Sequence, residues 1–532
     1  MIDRQGIRKR ATTLSAAAIL ALTSAPATAA TTSPHARLDT GEIVGEAAGD
    51  VSIFRGLPYA APPTGPLRWK PPQPARPWPE SRQAQLFGPA CPQQGSPGVT
   101  DITRYGGAPE PTSEDCLTVN VWAPARSSGG PAPVMVWFHG GSGRMGAGSL
   151  PYYDGAAFAR DGVVLVTVNY RLGHLGALAH PALTREGGQL GSYALMDQMA
   201  ALQWVKRNIA AFGGNPNNVT IFGESSGGIS VLTLTVAPAA RGLFHKAIVE
   251  SGGGWFPPAT SGAKAEQQGV AAARTAGAPA EATAAQLRAL PARALTAVPG
   301  ETQPYPSRPL SPESPTMGID AGRNAAVPLM IGVNSGEDSL LDYGGGLAKA
   351  KAAAKAKDVK KAMAVYHLAP GQEDLAIRYM LRDGLLVAPA RWVARRWSRH
   401  APAYLYYFDH VDEAARTPQK RAGHGSEIFY VFETLGRQPA DPPAPSAGDQ
   451  RLAREMHARW IAFARTGAPN IAGAPTWSPY GKATDPWMVF GPETTGTRNG
   501  LHKAELDWHE RRIAPLIFLL RIKTEVMRFF GR

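Results

Sequence analysis

A serine between two glycines follows an apolar stretch near the middle of the chain. The run FGGNPNNVTIFGESSG at 212–227 places Ser225 two residues after Gly223 and two before Gly227. A serine hydroxyl is a weak nucleophile at neutral pH, so it attacks a carbonyl only where a tight turn presents it to a base. Glycines at these positions leave room for such a turn between a strand and a helix. The pattern predicts a nucleophilic serine, and a chance glycine-serine turn is the alternative.

Candidates for an acid and a base follow this serine along the chain. GVNSGEDS at 332–339 places Glu337 and Asp338 just after an apolar run, and AGHGSEIFYVF at 422–432 places His424 between two glycines. Nucleophile, acid and histidine in that order are typical of enzymes that carry a nucleophile on a strand-to-helix turn. The order selects His424 among the 12 histidines of the chain. It predicts that the imidazole accepts the serine proton while a carboxylate orients the ring.

A glycine-rich turn precedes the serine. VMVWFHGGSG at 134–143 is an apolar run followed by Gly140, Gly141, Ser142 and Gly143. Backbone N–H groups in such a turn can face the negative charge that develops on an attacked carbonyl oxygen. We therefore expect an oxyanion-binding loop here, with an ordinary flexible turn as the alternative.

Short β-branched runs alternate with helical stretches, which predicts an α/β fold. Continuously apolar strands are buried on both faces, so we expect a central, mostly parallel sheet with helices on both sides. The helical stretch 193–208 has apolar residues at helical spacing, and the Pro- and Ala-rich segment 256–315 is expected to form a variable cap. The runs predicted as strands are 134–138, 163–169, 219–222, 247–250 and 327–332.

The 532 residues show no internal repeat or long hydrophilic linker, which favours one large catalytic domain at 30–510. Residues 1–29 combine an arginine-rich start, the apolar stretch Leu14 to Leu22 and the small-residue sequence Ala27-Thr28-Ala29. These are the features of a cleavable signal peptide, and the apolar stretch is too short for a membrane anchor. We expect a secreted or periplasmic protein.

The last segment, 511–532, combines the apolar run IAPLIFLL at 513–520 with Arg521, Lys523 and Arg528. It is too short and too interrupted to cross a bilayer. Two alternatives stay open: the tail docks on the domain or is loosely held, or it lies at a membrane surface or partner with its apolar face down.

The net charge and the distribution of basic residues indicate which classes of partner the chain can bind. The formal net charge is +13, and it falls to about +10 without residues 1–29. The basic residues are dispersed, which disfavours nucleic acid, and the lysine-rich stretch 349–361 is expected to be a solvated helix face.

Cys91 and Cys116 are the two cysteines, and in an oxidising compartment a disulfide is favoured over a metal pair without further ligands.

Several segments together make the chain resemble the type-B carboxylesterases, the family of bacterial para-nitrobenzyl esterases and cholinesterases. The similarity extends over about residues 42–490. The segments that carry it, besides the run around Ser225, are FRGLPYAAPPTGPLRW at 54–69, EDCLTVNVWAP at 114–124, VNYRLGHLG at 168–176 and FARTGAPN at 463–470. The resemblance implies an α/β-hydrolase fold and serine esterase activity, with no metal or organic cofactor.

The same resemblance assigns roles to individual residues. Ser225 matches the nucleophile, His424 the general base and acid, and Glu337 the residue that orients the imidazole, with the spacing from Gly332 favouring Glu337 over Asp338. The remaining matches are Gly141, Ser142 and Ser226 in the oxyanion hole, Ser251 and Glu427 as support for the acid and base, and Cys91 with Cys116 as the first disulfide of the family. Relatives commonly have a third glycine in place of Ser142 and an aromatic residue in place of Gly143.

We therefore expect a serine ester hydrolase that acts on neutral short-chain or aromatic esters and is a monomer or dimer. No tryptophan lies between Cys91 and Cys116 to hold a quaternary ammonium, which disfavours choline esters. Two alternatives stay open. One is a non-catalytic adhesion or binding protein with the same fold, and the other is an amidase, lactonase or lipase-like hydrolase that shares the acyl-enzyme route.

Overall fold

The computed structural model describes residues 33–94, 107–108, 111–126, 129–187, 190–254, 262–299, 310, 313–342, 345–417, 420–439 and 444–529, with side chains up to residue 519. The predicted signal peptide at 1–29 lies outside the described residues. From Ser33 onward the described residues belong to one compact unit.

Strands in the described part of the chain form two sheets, one of three strands in the order β1-β2-β5 and one of eleven. The larger sheet has the order β14-β13-β12-β11-β10-β9-β7-β8-β6-β4-β3. The strands are β1 His35–Leu38, β2 Gly41–Val44, β3 Glu46–Ala48, β4 Val51–Pro58, β5 Arg82–Gln83, β6 Thr118–Pro124, β7 Ala132–Phe138, β8 Val164–Val168, β9 Gly214–Glu224, β10 Lys246–Glu250, β11 Leu329–Asn334, β12 Ala403–Phe408, β13 Pro486–Phe490 and β14 Thr495–Asn499.

The centre of the large sheet is parallel, from β8 through β7, β9, β10, β11 and β12 to β13. Its two ends are antiparallel, with β6, β4 and β3 on one side and β14 on the other. The five runs predicted as strands correspond to β7 to β11, which are the central strands. Their carboxyl ends therefore lie along one edge, where α/β sheets carry their sites.

Helices connect and cover these strands. The predicted helix 193–208 is α4, and a short π-helix, Asp383–Val387, joins α12 to α13. The α-helices are α1 Ala156–Arg160, α2 Gly173–Ala177, α3 Pro181–Thr184, α4 Tyr193–Asn208, α5 Ser226–Val236, α6 Gly262–Thr275, α7 Ala284–Arg288, α8 Ala292–Ala297, α9 Pro315–Asp320, α10 Gly346–Ala353, α11 Ala356–Val365, α12 Glu373–Arg382, α13 Ala388–Trp397, α14 Ile428–Val431, α15 Ala447–Thr466 and α16 Lys503–Phe529.

Both faces of the sheet are buried, as the continuous apolar runs predicted. Along β7, Val134, Val136 and Phe138 belong to one core, whereas the alternate residues Met135 and Trp137 belong to the other. Side chains of α4 and α13 complete the first core, and side chains of α14 and α15 complete the second. Two packed layers of helix hold the strand ends in fixed positions and so provide a rigid base for a site.

The predicted cap segment 256–315 contains α6, α7 and α8 in its described part. The guanidinium of Arg144, just after the glycine-rich turn, donates to the carbonyl oxygens of Thr296 at 3.3 Å and Val298 at 3.2 Å. These bonds attach the end of α8 to the loop that was predicted to bind an oxyanion.

The disulfide between Cys91 and Cys116 is present, with Cα atoms 5.1 Å apart. At the other end of the chain, α16 begins at Lys503 and continues without a break through residue 511, so the proposed division at residue 510 stays a prediction. None of the described helices is long and apolar enough to cross a membrane.

Candidate active site

Ser225 lies at the turn between β9 and α5 with φ 53° and ψ −121°. A positive φ is uncommon for a residue other than glycine and costs energy that the surrounding structure must supply. Two backbone bonds support the turn: the N–H of Ser225 donates to the carbonyl oxygen of Glu250 at 2.8 Å, and its own carbonyl accepts from the N–H of Ile229 at 2.9 Å. The strained turn therefore presents this serine at the carboxyl edge of the sheet.

The two flanking glycines are required by close backbone approach. A Cβ on Gly223 would lie 2.6 Å from the carbonyl oxygen of Phe138, and a Cβ on Gly227 would overlap the same oxygen. A larger residue at either position pushes the turn that carries Ser225 away from β7. The G-x-S-x-G spacing is thus a steric consequence of packing a strand-to-helix turn against the neighbouring strand.

His424 and Glu337 are brought together across 87 residues of sequence. The Nδ1 atom of His424 lies 2.5 Å from Oε2 of Glu337, whose side chain is fully buried. The other carboxylate oxygen of Glu337 accepts from the backbone N–H of Asn334 at 2.8 Å and from the hydroxyl of Ser251 at 2.5 Å. These bonds fix the carboxylate, and the carboxylate in turn fixes the imidazole ring.

Asp338, the neighbouring carboxylate, points elsewhere. Its Oδ1 lies 2.8 Å from Nη2 of Arg421, and its Oδ2 lies 3.4 Å from Nη1 of Arg378. The structure therefore places Glu337 and not Asp338 against His424.

The loops that carry Glu337 and His424 are joined to one another. Gly336 and Gly423 form an isolated parallel bridge, and the hydroxyl of Ser339 accepts from the N–H of His424 at 2.9 Å. The side-chain amide of Asn334 donates to the carbonyl oxygen of Gly423 at 2.8 Å. The distance between Glu337 and His424 is therefore set by several bonds between the two loops and not by one flexible segment.

Ser251 and Glu427, predicted as supporting residues, both lie beneath this pair. Ser251 follows β10 at φ 48°, and its hydroxyl lies between Glu337 and Oε1 of Glu427, the latter at 3.3 Å. Glu427 also accepts a bond from the side-chain amide of Asn334. Burial, together with the neighbouring carboxylates, holds the pKa of Glu427 well above its usual range.

Glu224, the residue before the serine, contacts the other side of the imidazole. Its Oε1 lies 3.1 Å from Nε2 of His424, so the ring is held between two carboxylates. Burial lowers the pKa of His424, but the charges of Glu224 and Glu337 outweigh it and raise this pKa above its usual value. Burial raises the pKa of Glu224 to about 7, against the opposing effect of His424. The site thus stabilises the positively charged form of the imidazole.

The glycine-rich loop lies beside the start of α5. The N–H of Gly143 donates to the hydroxyl of Ser226 at 3.1 Å, and the N–H groups of Arg144 and Met145 close the turn on the carbonyl oxygen of Gly141. Gly141, Ser142 and Gly143 all have positive φ, of 101°, 59° and 64°. Ser142 therefore adopts a left-handed backbone conformation that favours glycine.

Sequence reasoning left three residues of this site unassigned. Glu224 lies inside the serine motif and Asn334 inside the G-x-N-x-x-E spacing. Both therefore belong to predicted motifs, but the sequence assigned neither of them a role in the site. Ser339 carries no motif signal, and its bond to His424 depends on how two distant loops meet. Among the described residues no group of three or more His, Cys, Asp or Glu side chains could hold a metal ion.

The chain is similar to known proteins over most of its length. The carboxylesterase family profile matches residues 32–375 and 369–509. The chain is 34% identical over 537 residues to fumonisin B1 esterase of Sphingopyxis macrogoltabida, and this match covers 94% of each chain. It is 35% identical over 483 residues to para-nitrobenzyl esterase of Bacillus subtilis (strain 168), which covers 86% of this chain and 94% of the relative.

A solved structure of PNB esterase superimposes with a TM-score of 0.76 at 32% sequence identity, covering 90% of this chain and 99% of the other. The predicted α/β-hydrolase fold, with its central and mostly parallel sheet, is confirmed by this likeness.

Proposed function

The chain belongs to the carboxylesterase family and is a carboxylic ester hydrolase, and we propose that it works through an acyl-enzyme formed on Ser225. One observation carries the proposal: a strained serine turn follows Glu224 directly, and Glu224 touches the histidine that Glu337 orients. The proposed nucleophile and acid follow β9 and β11, and the proposed base lies in the loop between β12 and α14.

In the first half of the proposed reaction, Nε2 of His424 accepts the proton of the Ser225 hydroxyl while the oxygen attacks the ester carbonyl carbon. The carbonyl oxygen becomes negatively charged, and the backbone N–H groups of Gly141, Ser142 and Ser226 donate to it. The tetrahedral intermediate then expels the alcohol, which leaves with the proton from His424. An ester is thereby exchanged for an acyl-serine and a free alcohol.

In the second half, a water molecule gives a proton to His424 and attacks the acyl-serine carbonyl. Collapse of this intermediate releases the carboxylic acid and returns the proton to Ser225. The imidazolium forms in both halves, and two carboxylates within 3.1 Å of the ring stabilise it each time. Ser251 and Asn334 hold the Glu337 carboxylate in position by donating to it.

We propose neutral short-chain or aromatic esters as substrates. The name of one relative refers to para-nitrobenzyl esters, in which the alcohol part is neutral and aromatic. An amidase, a lactonase and a lipase-like enzyme share the same acyl-serine step, and a graded panel of p-nitrophenyl, benzyl, lactone and anilide substrates distinguishes them.

We also propose export with removal of residues 1–29. The disulfide between Cys91 and Cys116 supports it, because such bonds persist in oxidising compartments. Amino-terminal sequencing of the exported protein tests it, and an intact Met1 contradicts it.

Turnover of p-nitrophenyl butyrate by two single variants tests the mechanism. Ser225→Ala should lower kcat by at least about four orders of magnitude, because the nucleophile is gone. Ser398→Ala is the control, since it removes an exposed serine hydroxyl outside the site, and it should retain kcat within about tenfold. Wild-type turnover in Ser225→Ala rejects the mechanism, and a wild-type protein without any turnover on the panel favours a non-catalytic binding protein.

A further inference from the structure

Three large apolar side chains are uncovered near the end of the described part of α16. Leu516, Phe518 and Leu519 expose 47%, 62% and 63% of their surface. Ile517, which lies between them, is 5% exposed and belongs to the main core. The helix is thus attached to the domain on one side and presents a row of apolar side chains on the other. Burying such side chains is favourable, so the exposure of three of them within four residues indicates a contact surface.

The exposed leucines continue a face of α16 that starts against another helix. Trp508, Arg512, Leu516 and Leu519 follow one another at spacings of four, four and three residues, which places them on one helix face. Trp508 packs on the small apolar cluster of α11 and α12, and the guanidinium of Arg512 stacks on its ring. Nη2 of Arg512 also lies 3.4 Å from the carboxylate of Asp358 on α11. Leu516 follows Arg512 by one turn, so the apolar row begins beside α11.

Helices α10 and α11 are strongly basic. Asp358, the one acidic residue between 346 and 365, is the residue that contacts Arg512. The lysines of these two helices all have exposed side chains, and they are Lys349, Lys351, Lys355, Lys357, Lys360 and Lys361. The stretch predicted as one solvated helix face is therefore two short helices, and the second of them contacts α16 one turn before the exposed apolar row, through Asp358 and Arg512.

We propose that α10, α11 and the part of α16 up to Leu519, together called the basic-apolar surface, bind an anionic lipid bilayer. The lysines attract phosphate-containing headgroups, and the apolar row enters the boundary between headgroups and acyl chains. A purely basic surface would serve any polyanion, but the adjoining leucines and phenylalanine fit a partner that is anionic outside and apolar within. The proposal is independent of the catalytic mechanism.

Co-sedimentation with vesicles tests the proposal on the purified full chain. Vesicles of phosphatidylcholine and phosphatidylglycerol in equal parts should retain the protein at least about tenfold more strongly than phosphatidylcholine alone. Retention should weaken as salt concentration rises, because exposed charges are screened. Equal retention by both vesicles, or no retention by either, overturns the proposal.

Two sets of substitutions separate the two parts of the surface. Each of two combined variants should lower retention at least about tenfold. The apolar variant carries Leu516→Ser, Phe518→Ser and Leu519→Ser. The basic variant carries Lys355→Glu, Lys357→Glu, Lys360→Glu and Lys361→Glu. Leu86→Ser, at a leucine 84% exposed elsewhere, is the control and should retain wild-type binding. Hydrolysis of a soluble ester at the wild-type rate shows that each variant is folded.

The same experiments distinguish a lipid bilayer from other partners of the basic-apolar surface. If only the lysine set weakens retention, the surface binds polyanions without lipid insertion and the proposal is wrong. If the apolar set changes the oligomeric state in gel filtration but not retention, the apolar row contacts a second copy of the chain and the proposal is again wrong. Hydrogen exchange of the wild-type protein needs no variant: vesicles should protect residues 346–365 and 503–519, and unchanged exchange there contradicts lipid binding.

Discussion

Replacing one of two adjacent carboxylates should separate the acid of the site from a structural ion pair. Glu337 faces Nδ1 of His424 at 2.5 Å, whereas Asp338 faces Arg421 and Arg378. Glu337→Gln keeps the size of the side chain and removes its charge. Asp338→Asn does the same one residue further along, and both side chains are buried. The pair therefore differs in what the carboxylate contacts and not in chemistry or burial.

The expected size of the effect follows from the charge that develops on His424. With the charge centres roughly 4 Å apart and an effective dielectric constant of about 20, the carboxylate stabilises the imidazolium by about 4 kcal/mol. A change of 1.36 kcal/mol in the barrier alters the rate about tenfold, so Glu337→Gln should lower kcat about a thousandfold. KM should change little, because the lost interaction is strongest once the ring is charged.

Steady-state kinetics on p-nitrophenyl butyrate, with the melting temperature recorded for each variant, is the assay. Asp338→Asn should keep kcat within about tenfold but lower the melting temperature, because Asp338 is buried and Arg421 loses the carboxylate that it faces at 2.8 Å. The reasoning is refuted if Asp338→Asn lowers kcat as much as Glu337→Gln, or if Glu337→Gln keeps kcat within about tenfold of wild type.

Three further perturbations have defined outcomes. Glu224→Gln removes a carboxylate that raises the pKa of His424, so the neutral ring persists to lower pH and the acidic limb of the pH profile of kcat/KM should move to lower pH; a limb that stays or moves upward contradicts this. Gly227→Ala should abolish activity and lower the melting temperature, because its Cβ overlaps backbone, whereas Gly496→Ala, with open space around its Cβ, should change neither; equal behaviour of the two is evidence against the steric account. Reduction of the Cys91–Cys116 disulfide, which closes a separation of 25 residues, should destabilise the protein by about 3 kcal/mol, and an unchanged melting temperature shows that the bond adds nothing.

The central strands and the three candidate catalytic residues were readable from the sequence because their signals are local. Runs such as Val134 to Phe138 are short, apolar and rich in β-branched residues, and the order of Ser225, Glu337 and His424 along the chain needs no knowledge of distances. The strand β12, AYLYYF, went unpredicted because a short aromatic run is equally compatible with a buried helix. The antiparallel outer strands depend on pairing between distant segments, which periodicity does not encode.

The contacts around the imidazole were beyond the sequence for a related reason. Glu224 stands 200 residues from His424, and its approach to Nε2 depends on where the turn at Ser225 directs the preceding side chain. The bond from His424 to Ser339 likewise depends on two loops that meet through the Gly336–Gly423 bridge. The same limit applies to the basic-apolar surface, because its lysines and leucines lie more than a hundred residues apart.

Covalent labelling tests the central claim most directly. Incubation of the purified protein with a fluorophosphonate, followed by fragment sequencing in the mass spectrometer, should place one adduct on Ser225 and none on Ser226, with loss of esterase activity in proportion to labelling. An adduct on another residue, or full activity after Ser225 is labelled, contradicts the proposal that this serine is the nucleophile.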